Sequence, residues 1–299
     1  MVDNGLLKYY PKYSDEFGRL RYDNIKKANI KNISHRRTIV KSRIREGLFR
    51  KGDTFYYQKQ LGGFYSKDRN EAEDFVDAEV LLSQIYAKAG FNTAIYLPTI
   101  DKNNLLGVVS NDISTKQSQT MQNFGNLIIC NPYEYGRGIS EKDLKLQQYF
   151  EEKAFRDYVK MHVFDVACGN PDRHGNNFFV DVKRTGSGLP VAEEVRLFDY
   201  GHSICYLNNL YNLQVESYCF CNGLGNGNTK TKKEMIEEFK NNEYVNMFYT
   251  PVQLSEMLGG IDVIETAKDI KQTINYEIDD GLASNYARII EDTAELLIK

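Results

Sequence analysis

The chain has 299 residues, enough for one large domain or two small ones with a sizeable core, so a hormone-sized peptide or a knottin is excluded. Its 38 Lys and Arg against 41 Asp and Glu leave a net charge of −3, which excludes both a polybasic nucleic-acid binder and an acidic tail. With 41% apolar and 12% aromatic residues it can bury a core, yet no apolar run approaches the roughly 20 residues of a membrane-spanning helix. The amino terminus, MVDNGLLKYYPKYSDEF, carries neither an apolar h-region nor a small-residue cleavage site. Cytoplasmic folding is therefore expected, with export as an effector by a route that reads no amino-terminal signal left open.

Charge is uneven along the chain. Residues 1–51 hold 14 Lys and Arg against 5 Asp and Glu, while the rest holds 24 against 36. The run KKANIKNISHRRTIVKSRIR reads either as an arm for nucleic acid or anionic lipid, or as a solvated segment beside an acidic body. No nucleic-acid motif accompanies it, so the second reading is preferred, no obligate nucleic-acid partner is expected, and residues 1–45 are taken as a basic extension. Five cysteines (Cys130, Cys168, Cys205, Cys219, Cys221) form an odd set without a CxxC pair, which argues for reduced thiols rather than disulfides or structural zinc. Cys219 and Cys221 alternate and would point the same way, as a soft-metal chelate or, preferably, as two small half-buried residues.

From Leu48 to Lys59, LFRKGDTFYYQK places aromatic-rich halves around a Gly-Asp turn and predicts a β-hairpin with Lys59 on its second strand. EAEDFVDAEVLLSQIYAKAGF predicts a helix that ends with Gly90 at the C′ position. On it Phe75, Glu79, Leu82 and Tyr86 are spaced 4, 3 and 4, so Glu79 falls inside the apolar stripe. A carboxylate facing a core needs a cation, and Lys59 is the nearest in sequence; the alternative is that Glu79 reaches solvent at the stripe's edge. TAIYLPTI and NLLGVVSND predict a strand pair, completing a small lobe over 46–115. QQYFEEKAFRDYVKMHVFDVA predicts a long helix carrying Phe155, Tyr158 and Phe164, within a larger and mainly helical part over 116–299. FFVDV and VRLFD, joined through TGSGLP, predict an antiparallel pair that brings Asn177 and Asp199 side by side at one end.

Asn177 and Asp199 form a hard oxygen pair of the kind that holds Mg2+ while phosphates and waters complete its shell. Asp172 precedes Asn177 by five residues, keeping the D-x-x-x-x-N spacing of a base that accepts a hydroxyl proton during attack on a γ-phosphate. GNPDRHGNN followed by LFDYG resembles the HipA-like protein kinases and, more distantly, the phosphatidylinositol kinases and actin-fragmin kinase. That resemblance implies an N-x-D-x-H-x-x-N catalytic loop on which Asn170, Asp172, His174 and Asn177 occupy matching positions, with Asp172 the base, Asn170 and His174 supporting the loop, and Asp199 the second metal ligand. FYYQK and AEVLLSQIYAKAGF resemble the family's nucleotide-lysine strand and partner-glutamate helix, so resemblance and stripe meet on Lys59 and Glu79. The implied fold is α+β and two-lobed, a small antiparallel sheet plus helix over a mostly helical lobe with the nucleotide in the cleft. The implied activity uses ATP and Mg2+ to phosphorylate a protein Ser or Thr, the chain itself included among the acceptors. A lipid or small-molecule kinase and an ATP-binding pseudokinase remain as alternatives, with a nucleic-acid binder as a third.

The sequence departs from the family in lacking a glycine-rich phosphate loop before Lys59. Ser34, Arg36 and Arg37 could supply side-chain donors in its place, and Gly62 and Gly63 form either a flap or a plain turn. GLGNGNTKT lacks the ending and the spacing of a P-loop and reads as a surface loop, with Thr229 and Thr231 as candidate phosphorylation sites. His162, His174 and His202 are too irregularly spaced to suggest zinc, and Arg173 reads equally as a phosphate contact or a surface salt bridge.

Overall fold

The structure is a computed structural model; it describes residues 1–2, 7, 10–21, 31–32, 45–51, 54–60, 69–104, 106–111, 113–128, 147–170, 173–201, 203–204 and 232–299, with strands 31–32, 45–51 and 54–60 described by their backbone. In chain order the elements are α1 (Tyr10–Tyr13), β1 (Leu20–Arg21), β2 (Lys31–Asn32), β3 (Arg45–Lys51), β4 (Thr54–Gln60), α2 (Arg69–Lys88), β5 (Asn92–Thr93), β6 (Tyr96–Ile100), β7 (Leu106–Asn111), β8 (Ser118–Thr120) and α3 (Met121–Leu127). There follow α4 (Glu152–Ala167), β9 (Phe178–Arg184), β10 (Pro190–Leu197), α5 (Lys232–Asn241), α6 (Glu243–Phe248), α7 (Pro251–Gly259), α8 (Val263–Ile274) and α9 (Asp280–Ile298). The class is α+β. Two compact units divide the chain, one made of Met1–Lys88, Thr93–Ile113 and Asp262–Ser284, the other of Ala89–Asn92, Ser114–Ile261 and Asn285–Lys299.

In the first unit a six-stranded sheet runs in the order β1-β6-β7-β4-β3-β2. The β3–β4 hairpin pairs Leu48 with Tyr57 and Lys51 with Thr54, as the aromatic-rich halves predict; its Gly52–Asp53 turn lies outside the described residues. β6 and β7 form the expected antiparallel pair, whereas the two-residue β1 joins β6 in parallel. Lys59 sits opposite Glu46 on one side and Val108 on the other, which places it well inside the sheet.

Helix α2 ends as the sequence indicates, with Gly90 at φ +85° just beyond it. Its burial is broader than a single stripe: every residue from Phe75 to Tyr86 is buried, polar ones included. Those polar groups survive burial because each finds a partner. The Ser83 hydroxyl accepts from the Tyr96 N–H at 3.1 Å, and the Gln84 amide exchanges hydrogen bonds with the Val2 backbone. Asp77 accepts from the Tyr276 hydroxyl at 2.6 Å and from the Asp279 N–H at 3.0 Å. A segment contributed by the far end of the chain thus covers the face that a surface helix would leave wet.

The second unit is built on a four-stranded sheet in the order β5-β10-β9-β8. Behind it, Phe124, Phe150, Phe155, Tyr158 and Phe178 form a continuous aromatic cluster, with Phe124–Phe150 centroids 5.7 Å apart and Tyr158–Phe178 centroids 6.1 Å apart. The carboxy-terminal helices carry ordinary start signals. Thr250 and Gln253 make a reciprocal capping box ahead of α7 with Pro251 in its first turn, and the Asp262 side chain caps α8, which belongs to the first unit, through the Glu265 N–H. No helix among the described residues is long and apolar enough to cross a membrane.

Two measurements probe the first unit. Gly18 adopts φ +72°, and a Cβ built there would lie 2.2 Å from the Ile274 carbonyl oxygen. Gly18→Ala is expected to lower the unfolding free energy by about 2 kcal/mol or more in a urea titration, because backbone strain and a clash with main chain add. Burial, reinforced by the nearby Asp74 and Asp279 carboxylates, pushes the Asp77 carboxyl up from 3.8 to about 7 against the opposing hydrogen bonds of Tyr276 and Asp279. A raised folded-state value means stability that is complete below pH 3.8 and lost as pH rises through about 7. The stability advantage of wild type over Asp77→Asn should therefore shrink between pH 5 and pH 8; a constant difference would contradict the assignment.

Candidate active site

The loop GNPDRHGNN begins as a helix stop. Gly169, at φ +65°, takes the left-handed position after α4, and its N–H donates to the Val166 carbonyl while the Asn170 N–H donates to the Asp165 carbonyl at 2.8 Å. These are the two closing bonds of a Schellman motif, and a proline next in the sequence bars any further turn of helix. Asn170 is buried, and its side-chain amide donates to Asp165 Oδ1 at 3.1 Å, so main chain and side chain are tied to one residue.

Asp165 is 4% exposed and Arg173 is 3% exposed. Arg173 Nε donates to Asp165 Oδ2 at 3.0 Å and Nη2 to Oδ1 at 3.1 Å, a bidentate ion pair in the interior. Its remaining nitrogen, Nη1, donates to the Asn177 carbonyl at 2.7 Å and also to the Phe198 carbonyl. The guanidinium carbon lies 5.2 Å from the centre of the Tyr200 ring. The expectation of a phosphate contact or a surface salt bridge is thus corrected: the cation is buried, and all three of its nitrogens donate to protein oxygens. Sequence reasoning missed Asp165 altogether. An aspartate in the last turn of an apolar helix, just ahead of Gly-Asn-Pro, was the available signal.

The rest of the loop is pinned from within and from α3. The Asn177 N–H donates to the His174 carbonyl at 2.8 Å, and His174 Nδ1 accepts from the Asn176 N–H at 3.1 Å. The Gly175 carbonyl accepts from the Gln122 N–H at 2.8 Å in the first turn of α3. Phe178 of β9 faces Leu197 of β10, so Asn177 immediately precedes one strand and Asp199 follows the other by two residues, at the same end. Asn177 is buried and Asp199 half-buried. Asp199 adopts φ +65° although it carries a Cβ, a conformation costing on the order of 1 kcal/mol or more in a non-glycine residue.

Deeper in the same sheet, Asp181 accepts from Thr115 Oγ1 at 3.0 Å, from the Ser118 hydroxyl, and from Arg196 at 2.8–2.9 Å. Arg196 also pairs with Glu194, which accepts from Asn92 Nδ2 at 3.0 Å, so polar side chains link all four strands or their approaches. His162 lies under the loop with its ring edge-on to Tyr158 at 4.7 Å. Burial, aided by the Arg173 cation, lowers its imidazole to about 3, and among the described residues its Nε2 is the buried side-chain atom left without a hydrogen-bond partner. The low value keeps the ring neutral at ordinary pH, so no buried charge adds to the cost of the unpartnered nitrogen.

Glu79 is fully buried in the middle of α2. The side chain of Lys59 and the placement of Asp172 lie outside the described residues, as do Ser34, Arg36, Arg37, Gly62, Gly63, His202, Thr229, Thr231 and every cysteine except Cys168, which is a buried thiol at the end of α4. Among the described residues no group of three His, Cys, Asp or Glu side chains is placed to hold a metal. The Asn177–Asp199 pair offers two hard oxygen donors held at adjoining strand ends, which fits a cation that takes most of its shell from phosphate and water.

This α+β fold resembles that of a solved kinase. The solved structure of the proinflammatory kinase CtkA from Helicobacter pylori matches with a TM-score of 0.56 at 13% identity, over 90% of this chain and 95% of that one. HipA of Shewanella oneidensis, solved with HipB and operator DNA, matches at 0.45 and 14% identity over 83% of this chain and 62% of that one. No family model matches the sequence, and neither does any curated protein. At these identities the likeness is one of fold.

The backbone at Asp199 allows a test that removes the side chain's own contacts from both arms. Asp199→Gly should be more stable than Asp199→Ala by about 1 kcal/mol in matched urea titrations, reflecting the left-handed φ. Equal stabilities would mean that the residue is not held there in solution.

Proposed function

We propose that the protein is an ATP- and Mg2+-dependent kinase that transfers the γ-phosphoryl group to a Ser or Thr hydroxyl of a protein, its own chain included. The observation that carries this reading is the anchoring of Asn177 and Asp199 at adjoining strand ends, with Asn177 closing the N-x-D-R-H-x-x-N loop ahead of β9 and Asp199 held in a costly backbone conformation just past β10. The two-lobed arrangement of a kinase is part of the proposal. So are a cytoplasmic setting and a partner that presents a hydroxyl-bearing segment rather than nucleic acid.

In this reading Lys59 binds the α- and β-phosphates and Glu79 orients Lys59. Asp172 accepts the proton of the attacking hydroxyl as its oxygen bonds to the γ-phosphorus and the bond from that phosphorus to the β-phosphate's bridging oxygen breaks, releasing ADP. Asn177 and Asp199 would hold Mg2+, whose charge offsets that of the phosphates. Asn170 and His174 hold the loop in shape. A second reading, an ATP-binding pseudokinase, draws on the sequence before Lys59, where SHRRTIVKSRIREGLF contains one glycine rather than a phosphate-covering loop.

Mass spectrometry after incubation with ATP, Mg2+ and a generic Ser/Thr substrate tests the proposal, with Asp172→Ala and Asp199→Ala alongside. Phosphate is expected on wild-type samples and absent from both variants. Metal-dependent ATP binding without transfer would favour the pseudokinase, phosphorylation of a phosphoinositide headgroup would favour a lipid kinase, and no ATP binding at all would overturn the kinase reading.

A further inference from the structure

We propose that Arg173, acting with Asp165, is a positioning residue for the Asn177–Asp199 pair, and this rests on the kinase reading above. The guanidinium touches the chain on both sides of Asp199, through the Phe198 carbonyl before it and the Tyr200 ring after it. The same Nη1 that bonds the Phe198 carbonyl also donates to the Asn177 carbonyl at 2.7 Å, so one nitrogen bridges the two strand ends. Nε and Nη2 are held by Asp165 near the end of α4, and Asp165 also fixes Asn170, where the loop departs. The distance between the backbone segments bearing the two metal donors is thereby referred to a rigid planar cation clamped by a helix. A lysine keeps the charge but has neither the plane nor the fork, and cannot serve the carboxylate bidentately while bridging both carbonyls. Groups that orient metal ligands without touching the metal typically carry 10- to 100-fold in metal affinity.

The test is a Mn2+ titration of the full chain, followed by electron paramagnetic resonance, with and without the non-hydrolysable analogue adenosine 5′-(β,γ-imido)triphosphate. Wild type, Arg173→Lys, Asp165→Asn, Asp199→Asn and Asp181→Asn are compared. Arg173→Lys and Asp165→Asn are expected to weaken nucleotide-dependent Mn2+ binding by about 10-fold or more while metal-free nucleotide affinity stays within about two-fold. Asp181→Asn disrupts a buried network in the same sheet without touching Asn177 or Asp199, and should lower the melting temperature but leave Mn2+ affinity alone. An Mn2+ affinity in Arg173→Lys equal to wild type, with Asp199→Asn impaired, overturns the positioning role and leaves the kinase reading standing. An equal loss in Asp181→Asn overturns it too, since general loosening then suffices. Failure of both Arg173→Lys and Asp165→Asn to fold, judged by circular dichroism, would make the pair a determinant of the fold instead. Absence of nucleotide-dependent Mn2+ binding in wild type removes the kinase reading and this proposal together.

Discussion

A guanidinium ion in a protein interior is tolerable only when an anion balances its charge and its N–H groups are bonded. Arg173 meets both conditions with one carboxylate, two carbonyls and an aromatic face. Buried ion pairs of this sort contribute little net stability against an apolar alternative, yet losing one partner leaves a charge that costs about 3–5 kcal/mol. The arrangement is therefore stiff without being especially stabilising. Its stiffness is spent on geometry, since the atoms it gathers belong to the end of α4, the start of β9 and the chain just past β10.

Around that centre the burial of polar groups follows one rule at three scales. The Schellman turn satisfies the last carbonyls of α4, the loop's internal bonds satisfy His174, Asn176 and Asn177, and the Asp181–Arg196–Glu194 network satisfies side chains along the sheet. Beneath them lies the aromatic cluster of Phe124, Phe150, Phe155, Tyr158 and Phe178. Asp199 can then be kept in the left-handed region, because the bonds on either side over-determine its backbone.

Much of this was legible in the sequence where local chemistry suffices. The β3–β4 hairpin and the end of α2 at Gly90 each follow from residues within a few positions of one another, as do the β6–β7 pair and the meeting of β9 and β10. The α7 and α8 caps were equally local, although the sequence reading drew nothing from them. What escaped depends on distance. A two-residue strand such as β1 has no periodicity to detect, and its parallel partner lies far along the chain. The all-round burial of α2 could not be inferred from a stripe because Tyr276, which satisfies Asp77, is 199 residues away. Arg173 shows its charge in a sequence but not its depth. Read alone it suggests solvent or phosphate, and only the apolar run around Asp165 hints otherwise.

The division of the chain also bears on the order in which the protein can be made. Its first unit is assembled from residues 1–88, 93–113 and 262–284, with most of the second unit encoded between them. On a ribosome the sheet and α2 emerge early, but Asp77 and the polar face around it wait for Tyr276 and Asp279, which are synthesised more than 150 residues after β7. At about 5–20 residues per second that is a delay on the order of ten seconds or more, during which residues 114–261 of the second unit emerge. The amino-terminal sheet would spend the interval with one side of its helix uncovered, a natural binding site for a chaperone.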